Sequence, residues 1–218
     1  SDVARRDRLM ATKDATIREV HHRVKNNLQT VAALLRLQAR RLDSPEAQAA
    51  LDEAVRRVGS IALVHETLSQ TPDEVVAFDD VADRLLGMVL DVGSVDDGHV
   101  ITTRRSGTFG VIPAEVATPL AMALTEVLLN AVQHGLREVN GQISINAVRA
   151  GDRLNVEVID DGRGLPAAFD PSASDRLGLQ IVRTLVIGEL QGTFGIELAA
   201  GGGTRAFFDV PLVHELEN

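Results

Sequence analysis

The chain has 218 residues, of which 44% are hydrophobic, with a net charge of −9 and no cysteine. This composition predicts a folded protein of one or two domains and argues against a nucleic-acid-binding surface, which needs clustered cations. It also excludes disulfides and thiolate metal sites. No apolar run approaches the ~20 residues that cross a bilayer, and the first residues lack the apolar core of a signal peptide. We therefore expect a cytoplasmic protein, with no membrane segment in this chain and no direct nucleic-acid binding.

The first part of the chain has the periodicity of a long amphipathic helix. From residue 12 to residue 42, one stripe recurs at alternating steps of four and three, as in the seam of a helical bundle. Its members are Ile17, His21, Val24, Leu28, Val31, Leu35, Gln38 and Leu42. The pattern breaks at residues 42–46, where Ser44 is a plausible N-cap for a second helix and Pro45 suits its first turn.

The second helix carries its own stripe, from Leu51 to Leu68. Two long helices joined by a short loop form an antiparallel hairpin. Because one hairpin cannot cover its own apolar stripe, we expect two copies to pair as a four-helix bundle in a homodimer. We assign this helical domain to residues 1–72.

Beyond a linker at residues 71–73, the pattern becomes mixed. The sequence predicts helices at 79–90, 113–133 and 178–187, and strands at 99–103, 141–148, 154–159, 193–198 and 204–210. Helices gathered on one face of a mixed sheet make an α+β sandwich. We assign this second domain to residues 76–218.

Glu126 and Asn130 are four residues apart and face the same side of the predicted helix 113–133. A carboxylate and an amide placed in this way can share a magnesium ion and its water shell. A polar pair on the solvent face of an amphipathic helix explains the two residues equally well.

Two glycine-bearing segments follow. Asp160-Asp161-Gly162-Arg163-Gly164 comes directly after an apolar strand, so its carboxylate could accept a hydrogen bond from an adenine amino group, although such turns also connect hairpins. Leu177-Gly178-Leu179 would place backbone N–H groups at a helix N-terminus, where phosphates bind. The order and separation of these segments and of the Glu126–Asn130 pair are more specific than any one of them.

Taken together, these segments resemble the ATP-binding domain of the GHKL superfamily, and more narrowly that of the sensor histidine kinases. Residues 125–135 resemble the N box, 160–164 the first glycine box, Gly178 and Leu179 the second, and 201–204 the final glycine-threonine element. The resemblance implies ATP and Mg²⁺ as cofactors. It also implies that Asn130 binds the metal, that Glu126 positions the metal or polarises the acceptor, that Asp160 contacts adenine, and that residues 166–177 form a mobile lid. The nucleotide-binding residues implied in this way are Asn130, His134, Asp160, Gly162, Gly164, Gly178, Leu179 and Thr204.

The chain departs from the family pattern at the phosphate site. Gln133 stands where many such kinases carry Lys or Arg. We expect Arg137, one helical turn further on, or Arg176, in the lid, to neutralise the phosphates instead. The second glycine box is also incomplete, since Asp175 and Arg176 precede Leu177, so the lid is expected to be short.

Two adjacent histidines compete for the role of phosphoacceptor. His21 falls on the predicted seam, so its default role is packing in the bundle, whereas His22 is rotated by about 100° toward solvent. A nucleophile must reach the γ-phosphate of ATP, which favours His22. Asn26, one turn along the same face, is either a residue that orients water for dephosphorylation or an ordinary surface amide.

The segment from His22 to Asn26, which reads His-Arg-Val-Lys-Asn, resembles the phosphoacceptor motif of the second-type histidine kinases, relatives of the HWE group. The HWE group itself carries a His before the N-box Glu and a Trp near the first glycine box. This chain has Thr125 at the first position and no Trp, so it fits the sister group better. The resemblance implies a kinase that phosphorylates its own His22 and passes the phosphate to an aspartate of a response regulator.

More finely, the chain resembles soluble actinobacterial kinases whose regulator carries an RNA-binding antiterminator domain. An upstream sensor domain, missing from this chain, is implied as well. The non-enzymatic alternative is a degenerate kinase that acts as a dimeric scaffold. The intact Glu126, Asn130, Asp160 and Gly162 argue against that alternative.

Overall fold

The computed structural model describes residues 2–70, 75–93, 98–170 and 176–212. The chain divides into two compact units, Ser1–Glu74 and Val75–Asn218. The predicted linker at 71–73 and the central part of the predicted lid, 171–175, lie outside the described residues.

The first unit is a helical hairpin. Helix α1 spans Asp2–Ala39, which is ten residues longer at its start than the sequence predicts, and helix α2 spans Pro45–Ser69. Ser44 caps α2 as predicted, because its hydroxyl accepts a hydrogen bond from the backbone N–H of Ala47 at 3.3 Å. Pro45 occupies the first turn, where its missing N–H costs no hydrogen bond.

The contact face of α1 agrees with the predicted seam at first and then shifts by one residue. Val31, Gln38 and Leu42 are exposed, and the buried residues in the last turns of α1 are Ala32 and Ala39. A straight helix drifts by about 20° per seven residues relative to a strict seven-residue repeat, so a seam extended from Ile17 to Leu42, about seven turns, leaves the contact face. Within a single hairpin, these three predicted seam positions therefore do not face α2.

The second unit contains a five-stranded mixed sheet and a two-stranded ribbon. The strands of the main sheet are β2 (Ile101–Gly107), β4 (Gly141–Ala150), β5 (Arg153–Asp160), β6 (Thr193–Leu198) and β7 (Thr204–Pro211), in the order β2-β4-β5-β7-β6. Strand β2 runs parallel to β4, and the other neighbours are antiparallel. Alternate residues of the three central strands are buried, so one face of the sheet is covered.

The described residues of this unit also form the helices α3 (Phe78–Gly93), α4 (Ala114–Asn130) and α5 (Leu177–Arg183). Helix α4 continues into a wider, π-type turn at Ala131–Gly135, and α5 does the same at Thr184–Glu189. The stretch Ala114–Gly135 is long and apolar enough to cross a membrane by length and composition alone, but 78% of its apolar window is buried inside the protein. It is the central core helix of this unit.

The predicted fold class, a helical hairpin followed by an α+β sandwich, is confirmed. The differences are local: the strand predicted at 99–103 runs from Ile101 to Gly107, and two short strands were missed. These are β1 (Val75–Ala77) and β3 (Val111–Pro113), which pair with each other in antiparallel orientation. Three residues are too few to show a period of two, so pattern analysis had no signal to detect.

Candidate functional site

The second unit has a cavity of about 230 Å³ beside the end of α4, the loop after β5 and the start of α5. Its walls combine apolar side chains with a few polar ones, as small-molecule sites do. The lining residues are Val127, Asn130, Ala131, His134, Gly135, Val158, Asp160, Arg163, Gly164, Leu165, Pro166, Arg176, Leu179, Ile196, Thr204 and Ala206.

Asp160 is a buried carboxylate at the end of β5, with only 3% of its surface exposed. Its Oδ1 accepts a hydrogen bond from the backbone N–H of Gly162 at 3.0 Å, and Thr204 donates to it from both backbone and side chain. Burial raises the pKa of Asp160 despite these hydrogen bonds, which act in the opposite direction. An N–H group of a bound ligand would supply a further donor to this desolvated carboxylate.

The glycines around Asp160 allow the protein to pack closely against itself. A Cβ on Gly135 would lie 2.5 Å from Oδ1 of Asp160, and one on Gly162 would lie 2.0 Å from the carbonyl oxygen of Gly135. That same oxygen accepts a hydrogen bond from the backbone N–H of Arg163 at 2.9 Å. Gly203 has a φ of +81°, and a Cβ there would lie 2.0 Å from the carbonyl oxygen of Asp160. The loop after β5 is thus held against the end of α4 by contacts that only glycine permits.

The two N-box residues have different environments. Asn130 is half-buried and lines the cavity, whereas Glu126, one turn earlier on α4, is 5% exposed and is not among the lining residues. His134, on the π-type turn that follows, is exposed and also lines the cavity. Asn130 and His134 therefore face the space where a ligand would sit, and Glu126 lies behind that wall.

The structure distinguishes the cations proposed for the phosphates. Arg176 lines the cavity, and its guanidinium lies 5.6 Å from the ring centroid of Phe169. Arg137 does not line the cavity but lies at the surface, 3.9 Å from Glu138. Arg163, which the sequence analysis did not single out, does line it and lies 3.5 Å from the same carboxylate. In the sequence, the feature that could have identified Arg163 is its position between the two glycines of the first glycine box.

The other residues predicted to bind the nucleotide also divide into those that line the cavity and those that do not. Gly164, Leu179 and Thr204 line the cavity. Gly162 and Gly178 do not: Gly162 packs against the end of α4, and Gly178 is buried within α5. Gly135 was the main residue missing from the predicted site residues, because its close packing is against Asp160 and Gly162, far along the chain.

In the first unit, His22 is exposed on α1. The amide nitrogen of Asn26 lies 3.2 Å from its Nδ1. The neighbouring Arg23 donates a hydrogen bond to Glu19 at 2.7 Å, and this bond, together with the charge of Arg23, lowers the pKa of Glu19. The Glu19 carboxylate, three residues before His22 on the same helix, is therefore engaged by an arginine.

His21, by contrast, is half-buried and faces α2. Its Nδ1 lies 2.9 Å from Nδ1 of His65, and burial lowers the pKa of both imidazoles. One turn on, Lys25 of α1 pairs with Glu66 of α2 at 2.5 Å. His21 and Lys25 thus join the two helices, and His22 is the member of the histidine pair that faces solvent.

Comparisons with known proteins agree with these features. Residues 19–92 match a family described as histidine kinase, and residues 115–214 match the histidine kinase-, DNA gyrase B- and HSP90-like ATPases. The sensor histidine kinase PdtaS of Mycolicibacterium smegmatis is 54% identical over 97% of this chain, which spans 42% of that relative. The blue-light-activated histidine kinase 2 of Erythrobacter litoralis is 30% identical over 91% of this chain, which covers 58% of it.

Among solved structures, the histidine kinase domain of the Erythrobacter litoralis EL346 blue-light activated histidine kinase has a TM-score of 0.63 and 27% identity. The match covers 94% of each chain and so includes both units. The resemblance drawn from the motifs is thereby confirmed. The chain belongs to the histidine kinases and comprises a histidine kinase core with its GHKL-type ATP-binding domain.

Proposed function

We propose that this chain transfers the γ-phosphate of ATP to His22 and then to an aspartate of a response-regulator receiver domain. The observation that supports His22 is the contrast between two adjacent imidazoles: His22 is exposed, whereas His21 is paired with His65 at 2.9 Å. Residues 1–72 would dimerise and carry the phosphate, and residues 76–218 would bind ATP. A cytoplasmic location follows from the need for ATP and a receiver domain.

The cavity suggests how the nucleotide is oriented. Asp160 is the buried acceptor, which suits the exocyclic amino group of adenine. The phosphates would then extend toward Asn130, and Arg163 and Arg176 lie in the wall of the same cavity. Arg163 and Arg176 would supply the positive charge that Gln133 does not.

Mg²⁺ fits this site only as an ion carried largely by the nucleotide. Among the described residues, no group of three His, Asp or Glu side chains is placed to hold a metal. Asn130 offers an amide oxygen in the cavity wall, and magnesium typically keeps several waters and binds one or two protein groups plus substrate phosphates. When bound, the ion would neutralise charge on the phosphates, with Asn130 as its protein ligand.

For the protein itself, the reaction is a matter of positioning. Phosphoryl transfer needs little covalent help, so the second unit would hold the γ-phosphate in line with the His22 ring and exclude water. Arg163 and Arg176 would stabilise the negative charge that accumulates on the phosphate oxygens.

A homodimer is supported by the surface of α1. Leu9, Val20, Val31 and Leu34 are all exposed, and their separations of eleven and three residues are close to whole helical turns. They form one stripe beside the face that packs on α2. A second hairpin laid on this stripe would complete a four-helix bundle.

The test is incubation with γ-labelled ATP and magnesium, comparing the wild-type chain with His22→Gln and His21→Gln. We expect acid-labile, base-stable label in the wild type and in His21→Gln, but none in His22→Gln. Label that survives in His22→Gln and is lost in His21→Gln would assign the acceptor to His21. Absence of label in the wild type, with tight binding of an ATP analogue, would favour the scaffold alternative.

A further inference from the structure

His21 of α1 and His65 of α2 face each other across the helical hairpin. Their Nδ1 atoms lie 2.9 Å apart, and their ring centroids lie 5.2 Å apart at an interplanar angle of 43°. The reaction proposed above uses neither of these imidazoles. Two ring nitrogens that approach so closely from different helices form a hydrogen bond, and they can also bind one metal ion between them.

The surroundings keep both imidazoles in the form that binds metal ions. Metal binding needs a neutral ring with a free electron pair. His21 and His65 are half-buried, and burial lowers the pKa of each imidazole, so both rings are neutral at about pH 7. One turn further along α1, Lys25 is paired with Glu66 of α2 at 2.5 Å, so these two neighbouring charges neutralise each other.

The separation of the two nitrogens suits a small transition-metal ion. With Zn–N bonds of about 2.0–2.1 Å, nitrogens 2.9 Å apart subtend an angle of about 90° at the ion. A tetrahedral angle needs a separation of about 3.3 Å, so the rings would open by about 0.4 Å. Small side-chain rotations supply a movement of this size, and the backbones of α1 and α2 can stay in place.

The ion would keep water in its coordination sphere. Among the described residues, no third His, Asp or Glu joins the pair in a metal-binding group. Each of the two residues keeps part of its surface in contact with solvent, so waters can occupy the remaining positions. Imidazole ligands suit zinc and nickel, whereas magnesium prefers oxygen, so the Mg²⁺ that accompanies ATP would not compete.

We infer that His21 and His65 form a binding site for one transition-metal ion of the Zn²⁺ class, with Nδ1 of each ring as a ligand. The ion would link α1 to α2 at the residue that precedes His22. This inference goes beyond the proposed function and does not depend on it.

Binding of the ion balances without loss of a proton. In the metal-free pair, Nδ1–H of one ring donates to the bare Nδ1 of the other. When the ion takes both Nδ1 electron pairs, that proton moves to Nε2 of the same ring. Both rings are then neutral, and each carries its proton on Nε2.

The first test is calorimetric titration of Zn²⁺ into the untagged chain, with millimolar Mg²⁺ present and no nucleotide. We expect one zinc ion per chain. His21→Gln and His65→Gln should each weaken binding more than tenfold, because loss of a residue that merely supports a ligand already costs about 10–100-fold. His22→Gln is the matched control: it removes the adjacent, exposed histidine and should keep the wild-type affinity.

The second test is the melting temperature of the helical unit, followed by circular dichroism. An ion that binds the folded hairpin and not the separated helices stabilises the hairpin by mass action. At a zinc concentration a hundredfold above the dissociation constant, we expect a rise of roughly 5–10 °C in the wild type and in His22→Gln. We expect no rise in His21→Gln or His65→Gln, and none with Mg²⁺ in any of the proteins.

A third measurement needs no variant and therefore holds even where a substitution disturbs folding. Long-range proton–nitrogen NMR of the wild type reports the protonated nitrogen of each ring, and zinc should leave both His21 and His65 protonated on Nε2. Unshifted resonances of this pair at saturating zinc would overturn the inference. Equal zinc affinity in the wild type, His21→Gln and His65→Gln would overturn it as well, since the ion would then be held elsewhere. Neither result bears on phosphorylation of His22, which the experiment with γ-labelled ATP tests separately.

Discussion

Replacing Gly162 by alanine tests whether the first glycine box is built for contact with the protein rather than with the ligand. The added Cβ would lie 2.0 Å from the carbonyl oxygen of Gly135 and 2.4 Å from its carbonyl carbon. An ordinary contact needs more than 3.4 Å, so the loop must move away from α4 by more than 1 Å. The hydrogen bond from the backbone N–H of Arg163 to that oxygen, at 2.9 Å, would then be lost.

The expected cost follows from these contacts. Overpacking of a tight contact costs about 1–3 kcal/mol, and a lost hydrogen bond adds about 0.5–1.5 kcal/mol. We therefore expect the free energy of unfolding of the second unit to fall by about 2–4 kcal/mol, which corresponds to a drop of roughly 10 °C in its melting temperature. Because Asp160 stands two residues before Gly162, affinity for an ATP analogue should fall as well.

The assay is a circular dichroism melt with and without the analogue, because the chain has no Trp or Tyr to report unfolding by fluorescence. Gly87→Ala is the control: Gly87 is exposed in α3, and nothing lies within 4 Å of the added Cβ. It should stabilise the same unit by about 1 kcal/mol, since alanine is the better helix former. Wild-type stability and affinity in Gly162→Ala would refute the packing argument.

Three further predictions concern other parts of the molecule. Lowering the pH from about 7.5 to 5.5 should destabilise the helical hairpin. Burial lowers the pKa of His21 and His65 in the folded hairpin, so the unfolded chain, whose histidines keep their ordinary pKa of ~6.5, takes up protons first as the pH falls. In His65→Leu, melting curves should show a weaker pH dependence. Arg163→Gln should weaken ATP and ADP binding about threefold to tenfold and leave adenosine binding unchanged, because the Arg163 guanidinium would contact phosphate. Competition with a labelled analogue measures all three affinities. Equal weakening of all three ligands would contradict that role. Leu34→Lys places a charge in the exposed stripe of α1, and light scattering at micromolar concentration should then give the mass of one chain, where the wild type gives two.

Much of the candidate site was accessible from local sequence. Residues brought together by a single helix or turn can be identified from spacing alone, because helical geometry fixes which side chains share a face. The phase of α1 was enough to separate the inward His21 from the exposed His22. The order of the N box and the two glycine boxes was likewise enough to identify the ATP-binding domain, since motifs of this kind record local backbone requirements.

Other features depend on contacts between distant parts of the chain. Gly135 closes the N-box segment, but its packing role was not visible in the sequence, since its close approach is to Asp160 and Gly162, more than twenty residues further on. Arg163 and Arg137 are both plausible cations in the sequence, and only the path of the loop after β5 places Arg163 in the cavity wall.

Sequence by itself therefore determined the fold class, the family and the solvent-facing histidine, all of which follow from helical phase and from motif order. Tertiary structure decided which cations face the cavity, which glycines are needed for packing, and which amide touches His22. The reason is physical: periodicity and turn chemistry act over a few residues, whereas steric contact and side-chain hydrogen bonding depend on where the folded backbone places each group.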